Sequence, residues 1–379
     1  MSPPVTEAGA AATLAGLPGI GAARLRLLLR YGAPTDALAA LVGERPLDPM
    51  VVRAIPPADL ATARAEARRV DPHAAVEACA AAGVEVLHRG DPRFPPVLAA
   101  DPDGPAVLFV RGDVAACDAR RVAIVGTRNA TAAGLATARE LASALCAEGV
   151  TVVSGLARGI DGAAHEGMRR AGGPGRPVAV VGSGPDVVYP KRHRHLWDWV
   201  VASGLLVSEY PPGTEPDAWR FPERNRIIAG LAEVLVVVES RERGGSLITV
   251  RQAIDRDVRV LAVPGSPTCR ASAGTNQLLV DRCADPVTSA DDVLVALGLD
   301  HRRQGEVPFD TRPLPSGHEA AVLEACERGP STLDMLASAT GLGLVDTALA
   351  AARLERAKWL IEAQGWFETT RSHFRSGTT

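Results

Sequence analysis

Lysine is almost missing from this chain: of 41 basic residues only Lys191 and Lys358 are lysine, and the other 39 are arginine. A genome-wide codon bias accounts for that, so an arginine counts as functional here only where its position argues for it. Long apolar runs are missing too. No stretch approaches the roughly 18 uncharged apolar residues of a membrane span, and the start, Met1 to Ala10, lacks the charged opening of a secretory signal. The cytoplasm is therefore the expected location, with no membrane span. The six cysteines, at 79, 117, 146, 269, 283 and 326, include no CxxC pair. A zinc knuckle or a disulfide framework is not expected, and they read as reduced packing residues. A formal net charge of −3 excludes a surface coated in positive charge, so any nucleic-acid site has to be a local patch. Walker A is absent, and no G-x-G-x-x-G follows the first strand of the α/β region, which disfavours ATP and nicotinamide enzymes and leaves no expected cofactor. No Ser/His/Asp triad, paired carboxylates or nucleophilic Cys emerges, so binding is favoured over catalysis and no catalytic residue is assigned.

What is present is a repeated junction. Val122 to Gly134 (VAIVGTRNATAAG) runs from β-branched residues into Gly, Thr, Arg and Asn before an Ala-rich helical stretch, and Thr151 to His165 (TVVSGLARGIDGAAH) repeats the design. The pattern recurs at Val178 to Gly184, Val234 to Ser246 and Val258 to Gly265. Such strands in a mostly parallel sheet place their polar loops at one carboxyl edge, where open α/β folds bind ligands, and helix starts there suit anions. The expected ligand is anionic.

With 379 residues and 46% hydrophobic content the chain can build two or three domains. Residues 1–80 are Ala- and Leu-rich with helical spacing. Within them Leu17-Pro-Gly-Ile-Gly21 resembles a helix-hairpin-helix turn, whose amides can hold a DNA phosphate, or is a plain helical turn. Residues 81–300 begin with a Pro- and Asp-rich transition and then alternate strands with helices, predicting right-handed βαβ units and an α/β core with a mostly parallel sheet. Residues 301–316 read as a linker. Residues 317–379 predict three helices and a hairpin in the order of a winged helix, a module that binds DNA or protein equally well.

Three loops carry the chemistry. In the first, Gly126 lets the backbone approach a ligand, Thr127 and Thr131 offer hydroxyls, Arg128 supplies a planar fork for phosphate, and Gly134 closes the motif. The second, Glu209 to Gly230, interleaves Arg220, Arg224 and Arg226 with Trp219 and Phe221. Guanidinium groups beside aromatic faces suit single-stranded nucleic acid; equally, these arginines could pair with Glu209, Glu215 and Glu223. The third, Tyr189 to His195, sets Lys191, Arg192 and Arg194 among His193 and His195 directly after a strand. Without a carboxylate or Cys at ligand spacing the two histidines do not form a metal site. His165 reads as a structural, hydrogen-bonding residue, and Asp161 as a candidate cap of its helix.

In this order, GTRNATAAG, SGLARGIDGAAH, YP, SEYPPGT, FPERNRIIAG, GGSLIT and AVPG resemble the DNA-processing protein A family (DprA, also called Smf), over about residues 84–287. The resemblance implies an extended Rossmann-like core that binds single-stranded DNA without base specificity, forms a homodimer, and helps load the recombinase RecA during natural transformation. It places the phosphate grip on Gly126, Thr127, Arg128, Thr131 and Gly134, a cation on Lys191, and the FPxRNR motif on Phe221, Pro222, Arg224, Asn225 and Arg226. The backbone at Gly126 and Gly155 is expected to approach phosphates that Arg128, Lys191, Arg224 and Arg226 neutralise. The N-terminal helical region resembles a helix-hairpin-helix or SAM-like accessory, and the C-terminal one a winged helix. The chain departs from the family in three places: Gly244-Gly-Ser-Leu-Ile-Thr249 lacks a hydroxyl, Asp257-Val258 stands for the usual Gly-Arg, and Arg282-Cys283 for Gly-Ala. The last two bear on any dimer surface at that edge. Two alternatives of other classes are an enzyme like the nucleoside monophosphate phosphoribohydrolases or a nucleotide-sensing Rossmann protein, and an adaptor acting through the winged helix. Against the enzyme, its PGGxGTxxE signature is replaced by Pro264-Gly-Ser-Pro-Thr-Cys-Arg270.

Overall fold

The β-branched runs become strands β1 (Glu85–His88), β2 (Val107–Gly112), β3 (Arg121–Val125), β4 (Thr151–Ser154), β5 (Pro177–Val181), β6 (Leu205–Ser208), β7 (Val234–Val237), β8 (Arg259–Ala262) and β9 (Asp285–Pro286). They form one sheet in the order β1-β2-β6-β5-β4-β3-β7-β8-β9. From β6 to β9 every neighbouring pair is parallel, and β2 runs antiparallel to β1 and β6. This is the expected α/β core with a mostly parallel sheet. The computed structural model describes residues 4–30, 32–299, 314–363 and 365–370.

Helices cover both faces, which is why the central strands are apolar without interruption. Along β3, Ala123 and Val125 face a core with Ile227, Ile228 and Val250, while Val122 and Ile124 face Leu141, Leu145 and Met168. The helices that follow β1 are α7 (Pro96–Ala100), before β2, then α8 (Ala132–Ala147), α9 (Ile160–Ala171), α10 (Arg194–Ser203), α11 (Arg220–Leu231), α12 (Ser246–Ile254) and α13 (Ala273–Val280), with α14 (Ala290–Ala296) after β9. Helices α8, α9 and α10 carry the chain stepwise from β3 to β6. Helix α11 then returns it to β7 on the other side of β3, and α12 leads away to β8. The direction of winding therefore reverses between β3 and β7, and the crevice outside their carboxyl ends is the position where open α/β sheets take ligands.

Six helices precede β1: α1 (Glu7–Gly16), α2 (Ala22–Leu28), α3 (Pro34–Val42), α4 (Pro49–Ala54), α5 (Pro57–Ala67) and α6 (Pro72–Ala81). Their apolar residues share one core with Val86 of β1 and Val107 and Phe109 of β2, so this region packs into the sheet unit. The Leu17–Gly21 turn joins α1 and α2, and Arg24 ties it inward by donating to the Gly19 carbonyl (2.6 Å) and to Asp59 (2.7 Å). By packing, the chain divides into units Met1–Arg302 and Arg303–Thr379. Most of the expected linker, 301–313, lies outside the described residues. The second unit has helices α15 (His318–Glu327), α16 (Leu333–Thr340) and α17 (Leu344–Arg356). Its strands β10 (Ser331–Thr332), β11 (Leu360–Ala363) and β12 (Trp366–Thr369) pair in the order β10-β12-β11 around Val322, Leu336, Leu354 and Leu360. Among the described residues no single helix is long and apolar enough to cross a membrane.

Both departures at the far edge fall on left-handed backbone. Asp257 and Arg282 each have φ of 56°, at the ends of α12 and α13. The turns close nonetheless, with Val258 N–H donating to Ala253 O and Cys283 N–H to Leu278 O, both at 2.9 Å. The chain thus keeps at these sites a conformation that suits glycine.

Candidate functional site

At the reversal point a cavity of about 400 Å³ opens between the loops that follow β3 and β7 and the start of α11. Its cationic walls are Arg128, Arg241 and Arg243, all exposed, with Thr127, Asn225 and Ser246 among the polar groups. Arg128 lies with its guanidinium 4.9 Å from the centre of the Phe221 ring, and Phe221 packs on Tyr189 at 5.3 Å. Beside this pair Arg220 sits over Tyr210 (5.1 Å) and Trp219 (5.0 Å), whose rings meet edge to face at 6.2 Å. Trp219 is 50% exposed and Tyr189 42%. Loops after β3, β5 and β6 thus bring together exposed Arg128, Tyr189 and Trp219 with half-buried Tyr210, Arg220 and Phe221. Lys191, also exposed, follows Tyr189 by two residues in a short 3-10 segment, Lys191–His193, and is not among the residues lining the cavity.

The structure corrects several expected phosphate contacts. Thr131 and Gly134 grip an anion, but an internal one. The Glu239 carboxylate, just past β7 and nearly buried, accepts the Thr131 amide (2.9 Å) and hydroxyl (2.5 Å), and Thr131 caps α8 by accepting from the Gly134 amide at 3.0 Å. A side chain at Gly134 would place its Cβ 2.3 Å from the Glu239 carboxyl carbon. The positive end of α8 is therefore already satisfied by a carboxylate. Gly126 and Thr127 do line the cavity. Gly126 is also required for packing, since a Cβ there would lie 2.5 Å from Ile160 Cγ1.

Arg224 does not reach solvent. It is 4% exposed, and its guanidinium donates to Val180 O of β5 (2.7 Å) and Gly155 O (3.0 Å), with Asp161 at 3.8 Å. Burial lowers its pKa to about 10 against the opposing pull of Asp161, and burial raises that of Asp161 against Arg224. The pair faces the cavity floor as a buried strut. Gly155 is glycine for the same reason: a Cβ would fall 1.8 Å from an Arg224 nitrogen. The small residue admits Arg224, where an approaching phosphate was expected. Arg226 turns the other way and pairs with the buried Glu209, beside Arg26 of α2. For Arg226 the internal-pairing reading of the sequence holds, and Arg220 is partly tied as well, donating to the Glu215 carbonyl.

His165 is fully buried, yet neither ring nitrogen has a hydrogen-bond partner, which corrects the expected hydrogen-bonding role. Burial, reinforced by His193 and Arg224, lowers its pKa to about 3, so it is neutral in any ordinary buffer. Asp161 stands in the first turn of α9 without capping it; the cap position is Gly159. Among the described residues no three His, Cys, Asp or Glu side chains are grouped to hold a metal ion. Arg241 and Arg243 were missed in the sequence. Their signal was the run ESRERGGS after β7, legible as a polar loop but with nothing to show that it faces the loop after β3.

The fold and this crevice define a class: an open, doubly wound Rossmann-like sheet with a cationic cavity at its switch point. Within that class the chain belongs to the DNA recombination-mediator protein A family, whose model matches residues 85–298. It is 39% identical to the DNA processing protein DprA of Bacillus subtilis over 216 residues, 57% of this chain and 72% of that protein. Protein Smf of Synechocystis sp. is 32% identical over 306 residues, 72% of this chain and 76% of its own length. The X-ray structure of DprA from Streptococcus pneumoniae superposes with a TM-score of 0.64 at 32% identity, covering 75% of this chain and 95% of that one. DNA processing protein A from Helicobacter pylori, solved for its single-stranded DNA binding mode, gives 0.50 at 26% identity, over 57% of this chain and 96% of that one.

Proposed function

We propose that the chain binds single-stranded DNA without base specificity along the switch-point cavity and the aromatic surface beside it. Arg128, Arg241 and Arg243, with Lys191 nearby, neutralise phosphates, while Tyr189, Phe221 and Trp219 offer ring faces to unpaired bases. Thr127 and Asn225 add polar contacts. Gly126, Gly155, Thr131, Gly134 and Arg224 shape the site from beneath, and Arg226 braces it through Glu209. The observation that carries this reading is the Arg128 guanidinium held over the Phe221 ring at the cavity mouth, a cation and a stacking platform in one contact. The single-stranded binding described for the Helicobacter pylori relative supports it.

In this reading the protein is a cytoplasmic, non-catalytic binding protein and acts as a homodimer that protects incoming strands and loads RecA during transformation. Residues 1–80, 81–300 and 317–379 serve as helical accessory, DNA-binding core and winged helix. The order of α15, β10, α16, α17, β11 and β12 supports the last assignment.

The test is binding of fluorescent single-stranded and duplex DNA at several salt concentrations, wild type against Arg128→Ala. Preference for the single strand is expected, with an affinity that weakens as salt rises and a slope in the variant shallower by about 0.7 for each phosphate that is no longer neutralised. Equal and negligible binding to both forms overturns the reading and directs the search to nucleotide hydrolysis.

A further inference from the structure

A second cavity, of about 310 Å³, lies on the other flank of the turn between β4 and α9. Ala157 and Asp161 of that turn line the first cavity, whereas Gly159 and Gly162 line the second, so one loop of backbone separates them. The second is walled by Arg139 of α8, Glu166 and Arg170 of α9, and His193 and His195 at the start of α10. Nothing in the proposed function uses it.

Its charge is unbalanced. Glu166 is the one carboxylate in the wall, and it is already engaged by Arg169 (both contacts 2.9 Å) and Arg170 (2.8 Å), with His195 at 3.8 Å. Arg139 has no carboxylate partner among the described residues, and its Nε is buried without any hydrogen-bond partner. That nitrogen lies out of reach of an external acceptor, so what the cavity offers a ligand is the positive charge of Arg139 and Arg170, which Glu166 alone does not balance. The wall is also fixed in place. His193 Nδ1 is bonded to the Leu156 carbonyl at 2.9 Å, and the ring lies where a Cβ at Gly162 would come within 2.6 Å. Arg158, which in sequence stands between Ala157 of the first lining and Gly159 of the second, is exposed.

We propose that this cavity is a second phosphate subsite, so that a strand held in the first cavity crosses the turn over Arg158 and sets a further phosphate against Arg139 and Arg170. The proposal rests on the single-strand reading above. It requires a cation on each side of the turn, which is what the two linings provide. Free inorganic phosphate shares the chemistry, but two cationic cavities on opposite flanks of one turn, with an exposed arginine in that turn, favour a connected chain of phosphates.

The experiment measures affinity by fluorescence anisotropy for oligothymidylates of about 4 and about 16 nucleotides, lengths that bracket single-strand sites in general. Wild type is compared with Arg128→Ala, Arg139→Gln and the exposed-rim variant Arg170→Gln, all checked by melting temperature. The gain in affinity from short to long strand is expected to fall roughly fivefold to tenfold in Arg139→Gln, the effect of about one charge-assisted contact. A smaller loss of the same kind is expected in Arg170→Gln, whereas Arg128→Ala weakens both lengths. If the long-to-short gain is unchanged in both Arg139→Gln and Arg170→Gln while Arg128→Ala still weakens binding, the second subsite is wrong and the first stands. If Arg128→Ala has no effect at either length, the first cavity and the subsite fall together. Protection of the wild type against melting by inorganic phosphate, lost in Arg139→Gln with the long-to-short gain intact, assigns the cavity to a free ion and also overturns the proposal.

Discussion

Replacing Glu239 asks whether the head of α8 is held by the protein itself. Its carboxylate accepts from the Thr131 amide at 2.9 Å and the Thr131 hydroxyl at 2.5 Å, at the cap of a 16-residue helix. Hydrogen bonds to a charged group contribute about 1.5–3 kcal/mol each, and a negative charge at the helix start adds about 0.3–1 kcal/mol. Glu239→Ala should therefore destabilise by roughly 3–7 kcal/mol. Glu239→Gln keeps an acceptor for the amide but loses the charge, and should cost about half as much, roughly 2–3 kcal/mol. In a chain of this size each kcal/mol lowers the melting temperature by roughly 1–2 °C. Thermal unfolding followed by circular dichroism gives the ranking wild type, Gln, Ala. Added inorganic phosphate should raise the Ala variant most, because the exposed first turn then accepts an external anion. Melting temperatures unchanged in both variants refute the internal-carboxylate account and return Thr131 and Gly134 to the DNA contact.

Two further outcomes follow from single residues. His165 takes up a proton near 6.5 when unfolded and only at about 3 when folded, so unfolding binds a proton between those values and stability falls as pH drops through them. The loss is about 2 kcal/mol at pH 5; His165→Leu should remove that slope while Asp161, which burial shifts upward, and Glu166, held at about 2 by Arg169, keep theirs. Chemical denaturation of both proteins across this range checks it, and an unchanged slope in the variant refutes it. Asp257→Gly and Arg282→Gly should each stabilise by about 0.5–1 kcal/mol, because both positions hold a left-handed backbone that glycine adopts freely. Lower melting temperatures in both would show that these side chains make compensating contacts.

The strand-to-loop junctions made the core legible: five runs read from the sequence are β3, β4, β5, β7 and β8, and their polar ends meet at one edge. Arg128 and Phe221 do line the cavity, because an exposed loop arginine and an aromatic near a helix start are placed by their own loop whatever lies behind them. Arg224 and Arg226 were not, since three arginines in seven residues of one helix point in different directions, one into the sheet and one toward Glu209. The anion at Thr131 was foreseen in kind but not in origin, because Glu239 is 108 residues away in sequence. Arg241 and Arg243 entered the site only through the pairing of β3 with β7, a long-range fact that local pattern does not carry.

The loops at the carboxyl edge are tied to one another. Arg224 bonds the ends of β4 and β5, and the Thr127 amide donates to the Glu239 carbonyl. The Ile160 amide in turn donates to the Thr127 carbonyl. Such a site has little of its own freedom to lose when a ligand arrives, so for the single strand proposed above the ordering entropy of association falls on the strand. Affinity should then respond more to stiffening the DNA, for example by a stacked purine run, than to rigidifying mutations in these loops.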